Sequence, residues 1–227
     1  MTSTVQWTRK SFPRAMTGYS VRGKRKMRIM GYEQGSEAWL MSRLGCPSGS
    51  QFDKLITSTG KPSTSAEAYI NQLIAEVMTN KPTEVKVNEW MQRGTELEPK
   101  AREYYELASG NEVMEVGFCM HDTAQCGVSP DGLVGGDGGL EIKCPAPHTH
   151  VKYLRDNKLP VVYKQQVMGC LWITGRSWWD FVSYHEDMPA LLVRVERDED
   201  FIKALETEVL KAVDTIETEV NRLRKMQ

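Results

Sequence analysis

Two carboxylates and one lysine lie near each other in the middle of this sequence, and their types suit hydrolysis of a phosphate ester. Asp131 comes directly after a proline. Glu141 and Lys143 occur later in the sequence, with Ile142 between them. Hard cations such as Mg²⁺ and Mn²⁺ bind carboxylate oxygens, and an ammonium group can hold water and offset phosphate charge. The pattern therefore predicts a metal site with Asp131 and Glu141 as ligands and Lys143 as the group that activates water.

The elements that must position these residues read as a β-hairpin. Residues 128–134 predict one strand, the glycine-rich residues 135–139 a turn, and residues 140–144 the return strand. Side chains alternate along a strand, so Glu141 and Lys143 are expected to share one face. The carbonyl oxygen of Ile142, which lies between them, could be a third metal ligand. The alternative is an ordinary charged ladder on a solvated hairpin.

The order Asp131, then Glu141-Ile142-Lys143, resembles the PD-(D/E)xK nuclease signature. The longer pattern, Ser129–Gly132 followed by Leu140–Pro145, resembles the lambda exonuclease family, the YqaJ-type phage recombination nucleases. This resemblance implies an α/β, restriction-endonuclease-like fold, in which helices flank a mixed central sheet. It also implies that the carboxylates hold Mg²⁺, for which Mn²⁺ can substitute.

Residues further from the motif also match this family. Trp39, Arg43 and Ser50 resemble a segment in which the arginine and the serine hold DNA phosphate, and Ser129 is a further candidate donor. A guanidinium group matches phosphate oxygens well, and a hydroxyl adds a neutral donor. Read without the family, Arg43 would be assigned to a surface ion pair.

Two more residues are assigned by the same resemblance. Glu98 matches an extra acidic residue at the metal site, with Glu96 as the competing candidate. Pro99 removes one helical hydrogen bond, so a kink or a helix start is expected there. Gln166 matches a glutamine near the active site. The alternative is that the Gln166 amide faces the core and makes its hydrogen bonds to the backbone.

Charge sets apart a basic arm, residues 1–31, and the resemblance implies that the rest of the chain, residues 32–227, is the nuclease domain. The whole chain has 29 basic and 30 acidic residues, whereas residues 1–32 contain eight basic residues and no acidic one. A basic arm on an acidic body suggests contact with a polyanion; a solvated tail is the alternative. The five cysteines lack disulfide-type spacing, and no apolar run is long enough to span a membrane. These features favour the cytoplasm.

The remaining pattern predicts mostly helices. Trp39 and Leu40 are expected to face inward from a first short helix, and Ser48 is expected to cap a second. The predicted helices are residues 34–42, 48–56, 66–78, 87–108, 148–155, 161–173 and 198–224, and the further strands are 112–120, 178–184 and 191–196.

The resemblance implies a Mg²⁺-dependent exonuclease that digests double-stranded DNA ends 5′ to 3′ and leaves a 3′ single strand for recombination. Family members form homotrimeric rings and work with a phage-type single-strand annealing protein. A phage or prophage gene expressed in a bacterial host cell is then expected. The alternatives are a non-catalytic DNA-end-binding protein on the same fold, and an acidic interaction protein whose hairpin is incidental.

Overall fold

The computed structural model describes residues 27–83 and 89–226. Within these ranges the chain forms eight strands, six α-helices and two short 3₁₀ helices. The strands are β1 (Arg28–Met30), β2 (Val113–Met114), β3 (Phe118–Met120), β4 (Gly127–Val128), β5 (Gly132–Val134), β6 (Gly138–Lys143), β7 (Trp178–Ser183) and β8 (Leu191–Glu196).

The helices occur between and after the strands along the chain. The α-helices are α1 (Glu37–Ser42), α2 (Ala66–Thr79), α3 (Glu89–Ser109), α4 (Pro147–Asp156), α5 (Lys164–Thr174) and α6 (Glu199–Arg224), and the 3₁₀ helices are Gly49–Lys54 and Val161–Tyr163. None of the helices in the described ranges is both long and apolar enough to cross a membrane.

The strands form two sheets. The larger has the order β2-β5-β6-β7-β8, and only its β6–β7 pair is parallel; the smaller has the order β1-β3-β4 and is antiparallel. The expected mixed sheet with flanking helices is thus confirmed. Because β1 belongs to the small sheet, the folded part already includes Arg28, which we had placed in the basic arm.

Helices cover both faces of the large sheet and bury opposite faces of β6. Leu140 and Ile142 pack against Ala101 and Tyr105 of α3. The Glu141 side chain points to the other face, where it meets α5. This alternation leaves one carboxylate deep between a sheet and a helix, while its two neighbours in sequence form apolar core.

Two glycines let the central strands approach closely. A Cβ at Gly138 would lie 2.1 Å from the Trp178 ring, and a Cβ at Gly139 would lie 2.2 Å from the Trp179 ring. Trp179 is completely buried. The glycine-rich turn therefore does two things: it reverses the chain, and it makes room for the tryptophans of β7.

The structure divides two strands that the sequence pattern predicts as continuous. The segment 128–134 splits into β4 and β5, and the segment 112–120 splits into β2 and β3, with each half in a different sheet. Only β5 and β6 form the expected hairpin. The chain crosses between sheets at Ser129–Asp131, and no alternation pattern marks such a crossing.

Several local predictions for the helices were also wrong. Leu40 is exposed rather than inward-facing. Of the two alternatives expected at Pro99, a kink or a helix start, the helix start is wrong, because α3 runs through this residue. Ser48 precedes the 3₁₀ helix Gly49–Lys54, yet its hydroxyl makes no capping hydrogen bond. Helix α6 was predicted correctly: Asp198 caps it, and its apolar stripe is buried.

Candidate active site

Asp131 lies in the link between the two sheets, where it faces the β6 strand. Its Oδ2 atom accepts a hydrogen bond of 2.6 Å from the backbone N–H of Ile142. Continuing the β5–β6 register by one residue places Asp131 opposite Glu141. Burial raises the pKa of Asp131, and the nearby Lys143 ammonium opposes that rise. The two predicted carboxylates therefore meet at one point of the sheet.

Glu141 is the most buried acid of the site, with no exposed surface. Its Oε1 atom accepts hydrogen bonds from Lys143 Nζ and, at 2.6 Å, from Gln166 Nε2. Its Oε2 atom is buried and has no hydrogen-bond partner among the described residues. Burial raises the pKa of Glu141 to about 8, against the opposing effect of Lys143. A buried carboxylate with one unsatisfied oxygen carries a desolvation cost that a bound cation would offset.

Lys143 lies at the end of β6, with its side chain on the same side as Glu141. The prediction that these two side chains share one face is confirmed by their direct ion pair. Burial lowers the pKa of Lys143, but the neighbouring carboxylates of Glu141 and Asp131 outweigh this and raise it above its usual value. Lys143 therefore carries a positive charge beside the two acids.

Glu98 approaches this group from α3, whereas Glu96 does not. Glu98 is partly buried and forms an ion pair of 2.7 Å with Arg102. Burial raises the pKa of Glu98, and the negative charge of Asp131 raises it further. Glu96 is exposed and accepts a hydrogen bond from Gln92. Of the two candidates, Glu98 is the one whose carboxylate interacts with Asp131.

Gln166 contacts the site directly. Its amide donates to the Glu141 carboxylate. The alternative that we considered, a core amide satisfied by backbone, describes its neighbour instead: Gln165 is buried and donates to the Ile56 carbonyl oxygen at 3.1 Å. One helical turn of α5 therefore anchors itself in the core through Gln165 and supports the carboxylate through Gln166.

The four residues assigned to DNA phosphate line one cavity of about 30 Å³. They are Arg43, Ser50, Ser129 and Gln166. The Ser129 hydroxyl oxygen is buried and has no hydrogen-bond partner within the described ranges. Because Gln166 also contacts Glu141, this cavity adjoins the carboxylates. The sequence motifs thus converge on two neighbouring sites.

Arg43 is held in that cavity by neutral and aromatic groups. It donates to the Ser48 hydroxyl at 2.9 Å, and its guanidinium carbon lies 4.1 Å from the centre of the Trp39 ring. Burial lowers its pKa. No carboxylate in residues 27–83 or 89–226 lies within ion-pair distance of Arg43, so within these ranges Arg43 does not form the surface ion pair of the alternative interpretation. A partly buried cation that has no carboxylate partner within these ranges favours an anionic ligand.

The donor atoms fit a hard divalent cation. Glu141 Oε2 is unsatisfied, Asp131 lies opposite it, and the Ile142 carbonyl oxygen lies between the two acidic positions. Three or more His, Cys, Asp or Glu side chains do not gather into a metal cluster anywhere in the described part of the chain. A Mg²⁺ site needs fewer, because Mg²⁺ keeps several waters and uses one or two carboxylates plus substrate oxygens.

A comparison with known protein families identifies the family of this chain. The profile of the YqaJ-like viral recombinase domain matches residues 38–177. The chain belongs to this family. The matched range contains Arg43, Glu98, Asp131, Glu141 and Lys143. Members of this family are nucleases of phage-type recombination.

Solved structures of exonucleases are similar to this chain. An alkaline exonuclease from Laribacter hongkongensis, LHK-Exo, is 37% identical, with a TM-score of 0.77 over 84% of this chain and 97% of its own. LHK-Exo in complex with dAMP gives 38% identity, the same TM-score and the same coverage.

A more distant structure supports the fold alone. A phage-related exonuclease from Haemophilus somnus 129PT is 16% identical, with a TM-score of 0.61 over 78% of this chain and 96% of its own. A search of curated proteins gave no significant match.

Sequence reasoning missed two residues that support the acids. Arg102 bonds Glu98 and also lies 3.4 Å from the Asp131 backbone oxygen. Its i,i+4 spacing from Glu98 was the available signal. Gln34 donates to the Pro130 carbonyl oxygen at 2.9 Å, which fixes the link just before Asp131. Nothing local in the sequence indicates a contact between residues so far apart.

Proposed function

We propose that this protein is a metal-dependent exonuclease that acts on the ends of double-stranded DNA. The observation that carries the proposal is Glu141: a fully buried carboxylate with one unsatisfied oxygen, beside Asp131 and Lys143. Mg²⁺ is the expected cation, and Mn²⁺ is expected to substitute, because both prefer oxygen ligands. Asp131, Glu141 and the Ile142 carbonyl oxygen would hold the ion, with Glu98 as an additional acidic group.

The remaining residues would bind substrate and handle protons. When bound, the metal lowers the pKa of water and offsets charge on the phosphate. Lys143 would orient the attacking water and donate hydrogen bonds to the phosphate as charge develops. Gln166 keeps the Glu141 carboxylate in place through its amide. Arg43, Ser50 and Ser129 would bind a second phosphate in the adjacent cavity.

We propose a 5′ to 3′ direction, with the 5′-phosphate of the cleaved strand in the Arg43 cavity. A cavity with a partly buried cation next to the carboxylates supports a terminal phosphate near the scissile one. The complex of LHK-Exo with dAMP supports a nucleoside monophosphate product. The other strand would then remain as a 3′ single strand, the substrate of annealing recombination.

The family resemblance supports three further proposals about the biological setting. The protein would work as a homotrimeric ring, since a ring around duplex DNA keeps the enzyme on its substrate. It would pass its single-stranded product to a phage-type annealing protein. It would act in the cytoplasm of a bacterial host cell, where a phage or prophage gene is expressed.

The test is digestion of linear duplex DNA that carries a label at either the 5′ or the 3′ end of one strand. Protein stripped with EDTA receives Mg²⁺, Ca²⁺ or no metal, and a closed circular duplex is the control. Mg²⁺ should release the 5′ label first and leave the circle intact, and Ca²⁺ should support binding without cleavage. Binding of linear ends without cleavage in Mg²⁺ or Mn²⁺ would instead identify a DNA-end-binding protein.

A further inference from the structure

An aromatic ring lies beside the lysine of the site. The Nζ atom of Lys143 is 5.4 Å from the centre of the Tyr163 ring. This is within the range in which a ring face attracts an ammonium group. The same ammonium donates to Glu141, so Lys143 contacts a carboxylate and an aromatic ring at once.

The Tyr163 ring is itself fixed by a cluster of aromatic side chains. Its centre lies 5.3 Å from that of Phe181 and 6.3 Å from that of Tyr153, which it meets edge to face. Phe181 is completely buried and Tyr153 nearly so. Packing against these two rings restrains the Tyr163 ring, which is itself partly buried.

The backbone also connects Tyr163 to the site. Tyr163 ends the 3₁₀ helix Val161–Tyr163 and directly precedes α5, which carries Gln166. Gln166 and Tyr163 therefore approach β6 from the start of the same helix. Gln166 contacts Glu141, and Tyr163 lies beside Lys143. A shift of this turn would move both supports together.

We propose that Tyr163 is a positioning residue, whose ring holds the Lys143 ammonium in line with the Glu141 carboxylate. The proposal rests on the nuclease function proposed above. A lysine has a flexible stem with a compact charge at its tip. Without a fixed neighbour, the ammonium would spend much of its time away from the water and phosphate. Such misplacement of the ammonium lowers the rate of the chemical step rather than the affinity for substrate.

Two substitutions at Tyr163 separate the ring from the hydroxyl. Tyr163→Phe keeps the ring face, and the single-turnover rate on linear duplex at saturating Mg²⁺ should stay within about threefold of wild type. Tyr163→Leu removes the ring, and the rate should fall by about tenfold or more, the equivalent of about 1.4 kcal/mol. The affinity for duplex DNA should be unchanged in both variants.

Tyr153→Leu is the matched control for packing damage. It removes the same kind of side chain from the same aromatic cluster, but the ring within cation–π distance of Lys143 is that of Tyr163. Its thermal midpoint should fall about as much as that of Tyr163→Leu, while its rate should fall much less. Equal rate losses in these two variants would show that packing of the cluster alone determines the rate.

A second readout does not depend on activity. Protons next to the Nζ of Lys143 should show an upfield ring-current shift in an NMR spectrum of lysine-labelled protein, assigned with Lys143→Arg. The shift should persist in Tyr163→Phe and disappear in Tyr163→Leu. A wild-type rate in Tyr163→Leu, or equally slow Phe and Leu variants, would overturn the proposal. If wild type cleaves no DNA, the proposed function fails, and the ring-current shift still tests the contact.

Discussion

At the scale of single residues, Asp131 and Glu141 are held by groups from two elements, β6 and α5. Glu141 receives hydrogen bonds from Lys143 and Gln166, and Asp131 accepts one from the Ile142 backbone. Such bonds fix the carboxylates before any ligand arrives, which lowers the cost of reorganisation during reaction. The unsatisfied Oε2 atom of Glu141 is the exception, and it is the atom we assign to the metal.

The pKa of Glu141 makes metal binding depend on pH. Burial raises this pKa to about 8 in the metal-free protein, and the proton must leave before the carboxylate can bind a cation. The apparent Mg²⁺ affinity should therefore rise by up to about tenfold per pH unit below pH 8 and level off above it. Calorimetry in two buffers of different ionisation enthalpy measures both the affinity and the released proton.

The control for this pH dependence is Glu96→Gln, which removes an exposed carboxylate from α3. Its affinity profile should match that of wild type. A wild-type affinity that stays constant from pH 6 to pH 8, with no proton released, would mean that Glu141 is already ionised in the metal-free protein or does not bind the ion.

Arg43 should determine the preference for a 5′-phosphate. A hydrogen bond to a charged group contributes about 1.5–3 kcal/mol, which is about a ten- to hundredfold effect on rate. Duplex ends with a 5′-phosphate should be digested faster than 5′-hydroxyl ends, and Arg43→Ala should erase most of the difference. Single-turnover digestion of the two substrates measures this preference.

Arg222→Ala is the control for Arg43, because it removes an exposed cation at the C-terminal end of α6. It should keep the full preference. If wild type and Arg43→Ala prefer the 5′-phosphate equally, the cavity next to Gln166 does not bind the terminal phosphate.

At the scale of elements, the sequence predicts local structure, such as a hairpin or a helix, better than the points at which the chain crosses from one layer to another. The β5–β6 hairpin and the α6 stripe followed from turn residues and periodicity. The division of residues 112–134 between two sheets did not, because each fragment is too short to show alternation. Arg43 and Gln166 were assigned by resemblance; their shared cavity depends on packing that no local pattern encodes.

The hairpin also depends on the absence of a side chain at Gly139. A methyl group there would meet the buried Trp179 ring at 2.2 Å, and such overpacking costs about 1–3 kcal/mol. Gly139→Ala should therefore lower the free energy of unfolding by that amount in urea titrations. Gly136→Ala in the same turn, whose Cβ would meet nothing within 4 Å, should be neutral or slightly stabilising. Equal stability of the two variants would contradict this packing account.

At the scale of the whole molecule, charge is unevenly distributed along the chain. Residues 1–26 contain seven of the 29 basic residues and no acidic ones; they lie outside the described residues, so the predicted arm is defined by sequence alone. The remaining chain has an excess of acids. An acidic body that digests DNA needs local cations to approach a polyanion, and the N-terminal segment is one source.

Deletion of residues 1–26 should weaken DNA binding without slowing chemistry. Each phosphate that the segment neutralises contributes about 0.9 to the slope of log affinity against log salt concentration. The deletion should flatten that slope, measured by fluorescence anisotropy between low and moderate salt. The single-turnover rate at saturating DNA should remain that of the full chain. An unchanged slope would show that the segment does not contact DNA.

The most direct test of the account compares wild type with Glu141→Gln in one experiment: single-turnover release of nucleotides from linear duplex DNA, after Mg²⁺ is added to metal-free protein. The substitution keeps the shape of the side chain but removes the charge that we assign to the metal. We expect Mg²⁺-dependent release by wild type, and release by Glu141→Gln slower by about a thousandfold, or about 4 kcal/mol, with duplex binding retained. Release by Glu141→Gln at the wild-type rate would contradict the assignment of this site.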